Sequence, residues 1–161
     1  MVSKQARDVH FSSIVVDCHS DSFGRVVDQG DDLGWDIGKG HMDLPRMRAG
    51  NLSAEFFACF VHPDYIPERR CIRRVLDMAD AVKQMCTANP QEIALARTAA
   101  DVRGAVESGR RAAILCIEGG HAIEDSLAVL RQFFELGIRY MTLTWNNSNN
   151  WADGCLDEPR H

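Results

Sequence analysis

An α/β fold built on a parallel sheet is what this sequence predicts, and three observations predict it. Short runs that are apolar without alternation recur along the chain, as in strands covered on both faces. Amphipathic helical segments separate the later runs. Each run ends in polar residues, and the C-terminal ends of parallel strands are where α/β folds carry their sites. An open sheet and part of a closed barrel share this pattern, and no internal repeat is evident.

The first run is Ile14-Val15-Val16, stopped by Asp17-Cys18-His19-Ser20-Asp21. Asp21 to Gly40 is rich in Gly and Asp with no clear period, which predicts a long loop. Asp43 to Arg48 predicts a short helical segment. Phe56 to Val61 is the second strand, ended by His62-Pro63. A long helix over Pro67 to Cys86 follows, with Ile72, Val75, Leu76, Ala79, Val82 and Cys86 at helical spacing. Its arginines, Arg69, Arg70 and Arg73, read as a solvated flank. Asn89-Pro90-Gln91-Glu92 predicts a helix start, with Asn89 as cap and Leu95, Ala99, Val102 and Val106 on one face. Ala112 to Ile117 is the third strand, ending in Glu118-Gly119-Gly120-His121. A helix over Ile123 to Leu136 follows, with Glu124 and Asp125 in its first turn and Gly137 as its stop. Arg139 to Leu143 is the fourth strand, followed by Thr144-Trp145-Asn146 and an asparagine-rich loop.

Composition narrows the function classes. The chain has 161 residues, 45% hydrophobic and 25% charged, which excludes a disordered or low-complexity chain and fits one ordinary domain. The net charge of -5 and the lack of a basic run argue against a nucleic-acid surface. No apolar run approaches the roughly 20 residues that span a bilayer, and the polar first residues do not form a signal peptide. A cytoplasmic protein without a membrane partner is the resulting expectation. The six cysteines form no CxxC pair. Cys59 and Cys116 sit in strands, Cys71 and Cys86 in a helix, Cys18 and Cys155 in candidate loops. They read as free thiols of a reducing compartment.

Asp17, His19 and Asp21 alternate at the end of the first strand, and an extended backbone points all three the same way. Imidazole and carboxylate suit zinc, manganese or iron, whereas a polar loop with Asp17 capping amides is the plainer reading. Glu118 ends an apolar strand, where a carboxylate must be paired, protonated or metal-bound. Separate parallel strands then deliver Glu118 and the first-strand trio to one end of the sheet. His121 reads as a supporting residue or a helix cap, and His62 as substrate rim or structure. Trp145 and Asn146 lie at the fourth strand end, where they line a ligand pocket or pack over the rim. No GxSxG elbow or phosphate-binding loop is present.

Taken together, Val16-Asp17-Cys18-His19-Ser20-Asp21, Asp43-Leu44-Pro45, Cys116-Ile117-Glu118-Gly119-Gly120-His121 and Leu143-Thr144-Trp145-Asn146 with Trp151-Ala152-Asp153-Gly154 resemble the membrane (renal) dipeptidase family of metallopeptidases. The resemblance implies an amidohydrolase-like TIM barrel, with residues 1–161 as the N-terminal part of one barrel domain covering about the first four strands. It implies two Zn2+ ions per complete site. His19 and Asp21 would be ligands of one metal, and Glu118 the catalytic carboxylate that bridges both and positions them. Asp17 would be a supporting residue, and Trp145 and Asn146 substrate-binding residues. Trp145 departs from the histidine that many members carry there. Two further histidines and a late aspartate of the family have no counterpart within these residues. The implied substrate is a small dipeptide, with a D- or dehydro-residue at its C-terminal side. A homo-oligomer or a barrel-completing chain is the implied protein partner. Another amidohydrolase-like hydrolase of a small amide or ester, and a non-enzymatic scaffold, are the competing readings.

Overall fold

Five parallel strands form the sheet of this computed structural model, which describes residues 2–161. They are β1 (Val15–Ser20), β2 (Leu52–Phe60), β3 (Ile93–Leu95), β4 (Arg111–Glu118) and β5 (Ile138–Met141). β4 is central: Ala54 to Phe60 of β2 pair with Ala112 to Glu118 along one edge. On the other edge, β3 pairs with Arg111 to Ala113, and β5 pairs further along with Leu115 and Ile117. With β1 beside β2, the order β1-β2-β4-β5 is an arc of parallel strands, with short β3 set below β5. Every strand therefore ends on the same side.

The apolar runs are continuous because both faces of the central strands are covered. On one face, Phe57, Cys59, Leu115 and Ile117 pack with Val75, Met78 and Val82 of α4 (Cys71–Ala88). Phe23 of α2 (Ser22–Gln29) joins them, its ring edge-on to Phe57 at 4.8 Å between centroids. On the other face, Ala54, Ala112 and Ile114 pack with Ala105 and Val102 of α5 (Ala99–Glu107). Arg74 of α4 donates a bidentate pair to Asp28 of α2 at 2.6 and 2.8 Å, which latches the two helices together. The remaining helices are α1 (Lys4–Ser12), α3 (Leu44–Ala49) and α6 (Leu127–Leu136).

Four expectations are corrected. The segment expected as a loop from Asp21 to Gly40 contains α2, whose Phe23, Val26 and Val27 face the core over two turns before Gly30 (φ +71°) stops it. The helix expected from Asn89 begins ten residues later. Asn89 is the C-cap of α4, and Ile93–Leu95 is strand. The reciprocal cap belongs to Thr98 and Asp101, each side chain bonding the other's backbone N–H. The helix expected from Ile123 starts at Leu127 under a Ser126 cap. Glu124 and Asp125 precede it with left-handed backbone, and Glu124 instead accepts the N–H of Ile72 at the start of α4. Cys18, expected in a loop, lies within β1. All six cysteines are free thiols, and Cys59, Cys71 and Cys116 are buried.

The arc is open at both sides. Ile14 and Val16 beside the β1 edge are 48% and 44% exposed, and they border an apolar cavity of about 400 Å³ with Phe56, Val102 and Ile114. Among the described residues no helix is long and apolar enough to cross a membrane.

Candidate metal centre

Three predicted ligands meet at the C-terminal side of the sheet. One ligand atom each from His19, Asp21 and Glu118 lies within 4.8 Å of the other two. His19 Nε2 is 3.4 Å from Asp21 Oδ1 and 3.2 Å from Glu118 Oε2. Tetrahedral zinc with N and O ligands at ~2.0–2.2 Å sets ligand atoms about 3.4 Å apart. The two distances from His19 are close to that edge length, and the third lies within 4.8 Å.

Local structure explains how the strands deliver these groups. The β1–β2 register runs Asp17↔Glu55, then Ser20↔Phe57, so β1 carries one extra residue there. This bulge breaks the period of two. Asp17 stays in register with Glu55, while His19 turns toward Glu118. The expectation that Asp17, His19 and Asp21 point the same way is therefore corrected, and Asp17 lies outside the cluster. Its carboxylate accepts the N–H of His19 at 3.1 Å, a contact that steadies the bulge. Asp21 holds the N-cap position of α2 but makes no capping bond, so its carboxylate is free to face His19. Glu118 is the last residue of β4, and Gly119 follows at φ +100°. A Cβ at Gly119 would lie 2.5 Å from the His121 ring, so the turn requires glycine.

The His19 ring is fixed from behind by Tyr140, which the sequence reading passed over. Tyr140 donates its O–H to the Cys18 carbonyl at 2.7 Å. Its oxygen is then the acceptor for His19 Nδ1–H, also at 2.7 Å. That leaves the Nε2 lone pair facing two carboxylates. A proton or a cation must sit between them, and this is how metal-binding histidines are held. Glu118 carries the same signature. Burial raises its pKa first, the charge of Asp21 adds to this, and His19 opposes it. A cation bound there would offset these raising causes. The cue for Tyr140 was a phenol inside a strand, between Arg139 and Met141, where its O–H needs a partner.

Glu55 was also passed over. It is fully buried, and neither carboxylate oxygen has a hydrogen-bond partner among the described residues. Burial, with the charge of Asp17 second, pushes its pKa up to about 8. His121 is buried and donates from Nε2 to the Val61 carbonyl at 2.8 Å, and burial lowers its pKa. This is packing, not ligation. Trp145 is not one of the three clustered groups, and it packs its ring on Phe60 at 5.0 Å. The Asn146 side-chain oxygen accepts the Cys155 thiol at 3.3 Å.

A parallel α/β arc carrying a His-Asp-Glu cluster at its strand ends has the architecture of an amidohydrolase-like metal hydrolase, and the comparisons agree. The model of the membrane dipeptidase family (peptidase family M19) matches residues 3–161, and the chain belongs to that family of zinc-dependent peptidases. It is 37% identical over 123 residues to Dipeptidase 3 of Mus musculus, covering 76% of this chain and 24% of that protein. Among solved structures it is similar to the metallopeptidase dipeptidase AC, with 29% identity, a TM-score of 0.73, and coverage of 83% of this chain and 43% of that one. It is also similar to a metallopeptidase from Rhodobacter sphaeroides liganded with a phosphinate mimic of the dipeptide L-Ala-D-Ala, with 28% identity, a TM-score of 0.70, and coverage of 83% and 46%. The chain thus spans a quarter to a half of the length of these relatives.

Proposed function

We propose that residues 1–161 form the N-terminal part of a zinc dipeptidase barrel, whose completed site hydrolyses the peptide bond of small dipeptides. The observation that carries this reading is the zinc-like spacing of His19, Asp21 and Glu118, with the Nε2 lone pair aimed at the carboxylates. His19 and Asp21 would hold one ion, and Glu118 would bridge to a second. When bound, zinc supplies Lewis-acid activation of water and of the scissile carbonyl.

The chain's own residues do the rest of the positioning. Tyr140 fixes the His19 ring through Nδ1, and Asp17 fixes the backbone amide of His19. Glu118 would hold the metal as a carboxylate ligand and would not act as a free base. Its location in a half-buried strand end limits competing water around it. Trp145 and Asn146 would border the substrate. The remaining ligands and the proton-transfer group would come from the part of the barrel that closes against β1 and β5.

The test is hydrolysis of L-Ala-D-Ala by the zinc-loaded protein with its barrel completed, with Glu118→Gln alongside. Zinc-dependent release of alanine, abolished in Glu118→Gln, is the expected result. Tight zinc binding without hydrolysis of any dipeptide refutes the reading. It favours a hydrolase of another small amide or ester, or a scaffold.

A further inference from the structure

β4 lies between β2 and β5, and its last residue is Glu118. Phe60, the last residue of β2, pairs in register with Glu118. Trp145 follows β5 on the opposite side. The two rings nevertheless meet, at 5.0 Å between centroids. They therefore bridge across the end of the strand that carries Glu118. His62 completes the group, 5.7 Å from the Trp145 ring and 6.2 Å from Phe60. Three rings thus form a wall at the end of β4, with Phe60 in register beside Glu118.

Of these rings only His62 brings a polar edge, and its hydrogen bonds define which edge is free. Nδ1 accepts the N–H of Asp64 at 3.3 Å, and it lies 3.3 Å from the Asp64 carboxylate. Accepting the amide places the imidazole proton on Nε2. A second proton on Nδ1, paired with the carboxylate, leaves Nε2 protonated as well. In both states Nε2 is a donor, and it has no hydrogen-bond partner among the described residues. The side chain is half exposed at the strand-end side of the sheet. Pro63 and the 3₁₀ turn Pro63–Tyr65 hold the Asp64 contacts in place.

We infer that His62 is a substrate-binding residue, donating from Nε2 to an oxygen of the bound dipeptide, with Phe60 and Trp145 as the apolar wall that orients it. This rests on the dipeptidase reading above. A donor held against two aromatic rings in a half-buried site meets an anionic oxygen with little reorganisation, and one such bond is worth roughly 10- to 100-fold in affinity.

The experiment measures binding of the phosphinate mimic of L-Ala-D-Ala by calorimetry to the zinc-loaded protein with its barrel completed. Wild type, His62→Ala and His62→Gln are compared, with zinc affinity measured for each. Weakening by roughly 10- to 100-fold in His62→Ala, with zinc affinity unchanged, is expected. His62→Gln, whose amide N–H can replace the Nε2 donor, recovers most of the loss. Equal binding by wild type and His62→Ala overturns the assignment alone. So does a glutamine variant no better than alanine, or a loss of zinc affinity in His62→Ala. Absence of mimic binding by zinc-loaded wild type overturns the dipeptidase reading and the His62 assignment with it.

Discussion

Tyr140→Phe removes one oxygen atom and should weaken zinc binding without unfolding the protein. In the native site that oxygen accepts His19 Nδ1–H at 2.7 Å while its own proton is given to the Cys18 carbonyl at 2.7 Å. Without it, the imidazole loses the bond that selects the tautomer with a bare Nε2, and the ring gains freedom to rotate. Partners of this kind are worth about 10- to 100-fold in metal affinity, or ~1.4–2.7 kcal/mol. The phenylalanine ring preserves the tilted contact with Phe56, at 5.3 Å in the wild type, so packing is largely kept. Competition with a chelator at fixed pH measures the affinity, and a thermal melt of the zinc-free protein checks the fold. Zinc affinity within twofold of wild type would refute the role given to Tyr140. A larger loss in His19→Ala, with no further loss when Tyr140→Phe is added, would place both residues in one unit.

Three other outcomes follow from the geometry. Because burial and the charge of Asp21 raise the Glu118 pKa, zinc competes with a proton there as pH falls. Affinity should fall as pH falls across the mildly acidic range, and calorimetry in buffers of different ionisation enthalpy should record proton release. A pH-independent affinity would contradict this. Glu55 holds its proton to about pH 8 in the folded chain, whereas the unfolded chain releases it near the ordinary value of 4.5. The native state therefore binds more protons between those limits, and stability drops as pH rises through them. Glu55→Gln should flatten that slope and raise stability at pH 8 by ~1–3 kcal/mol in denaturant melts; an unchanged slope would count against it. Phe23→Ala empties a wholly buried position against Phe57 and should cost about 3–5 kcal/mol, and a loss under 1 kcal/mol would show that α2 is not anchored there.

The sheet was legible because its central strands are covered on both faces. Ala112 to Ile117 reads as strand from its apolar continuity alone, and the structure extends it by one residue at each end. His19, Asp21 and Glu118 were legible for a related reason, since polar groups at parallel strand ends converge. What was hidden depended on contacts distant in sequence. The β1 bulge that separates Asp17 from His19 appears only when β1 is matched to β2. Tyr140 reaches His19 across 121 residues. The Asn89-Pro90-Gln91-Glu92 motif mimics a helix start, but Asn89 terminates α4, its side chain donating to the Met85 carbonyl. Helix α2 was missed because Gly24 and the acidic residues around it mask two turns of helical spacing. Glu55 stood one residue before the run recognised as the second strand, so its burial went unseen.

The central claim is that His19, Asp21 and Glu118 together bind zinc. Anomalous diffraction at the zinc edge from crystals of the zinc-loaded protein tests it most directly. A peak within ~2.0–2.2 Å of His19 Nε2 and of a carboxylate oxygen of both Asp21 and Glu118 is the predicted result. A peak held by cysteine thiols or by surface histidines, with His19 Nε2 still facing Glu118 across a proton, would contradict it.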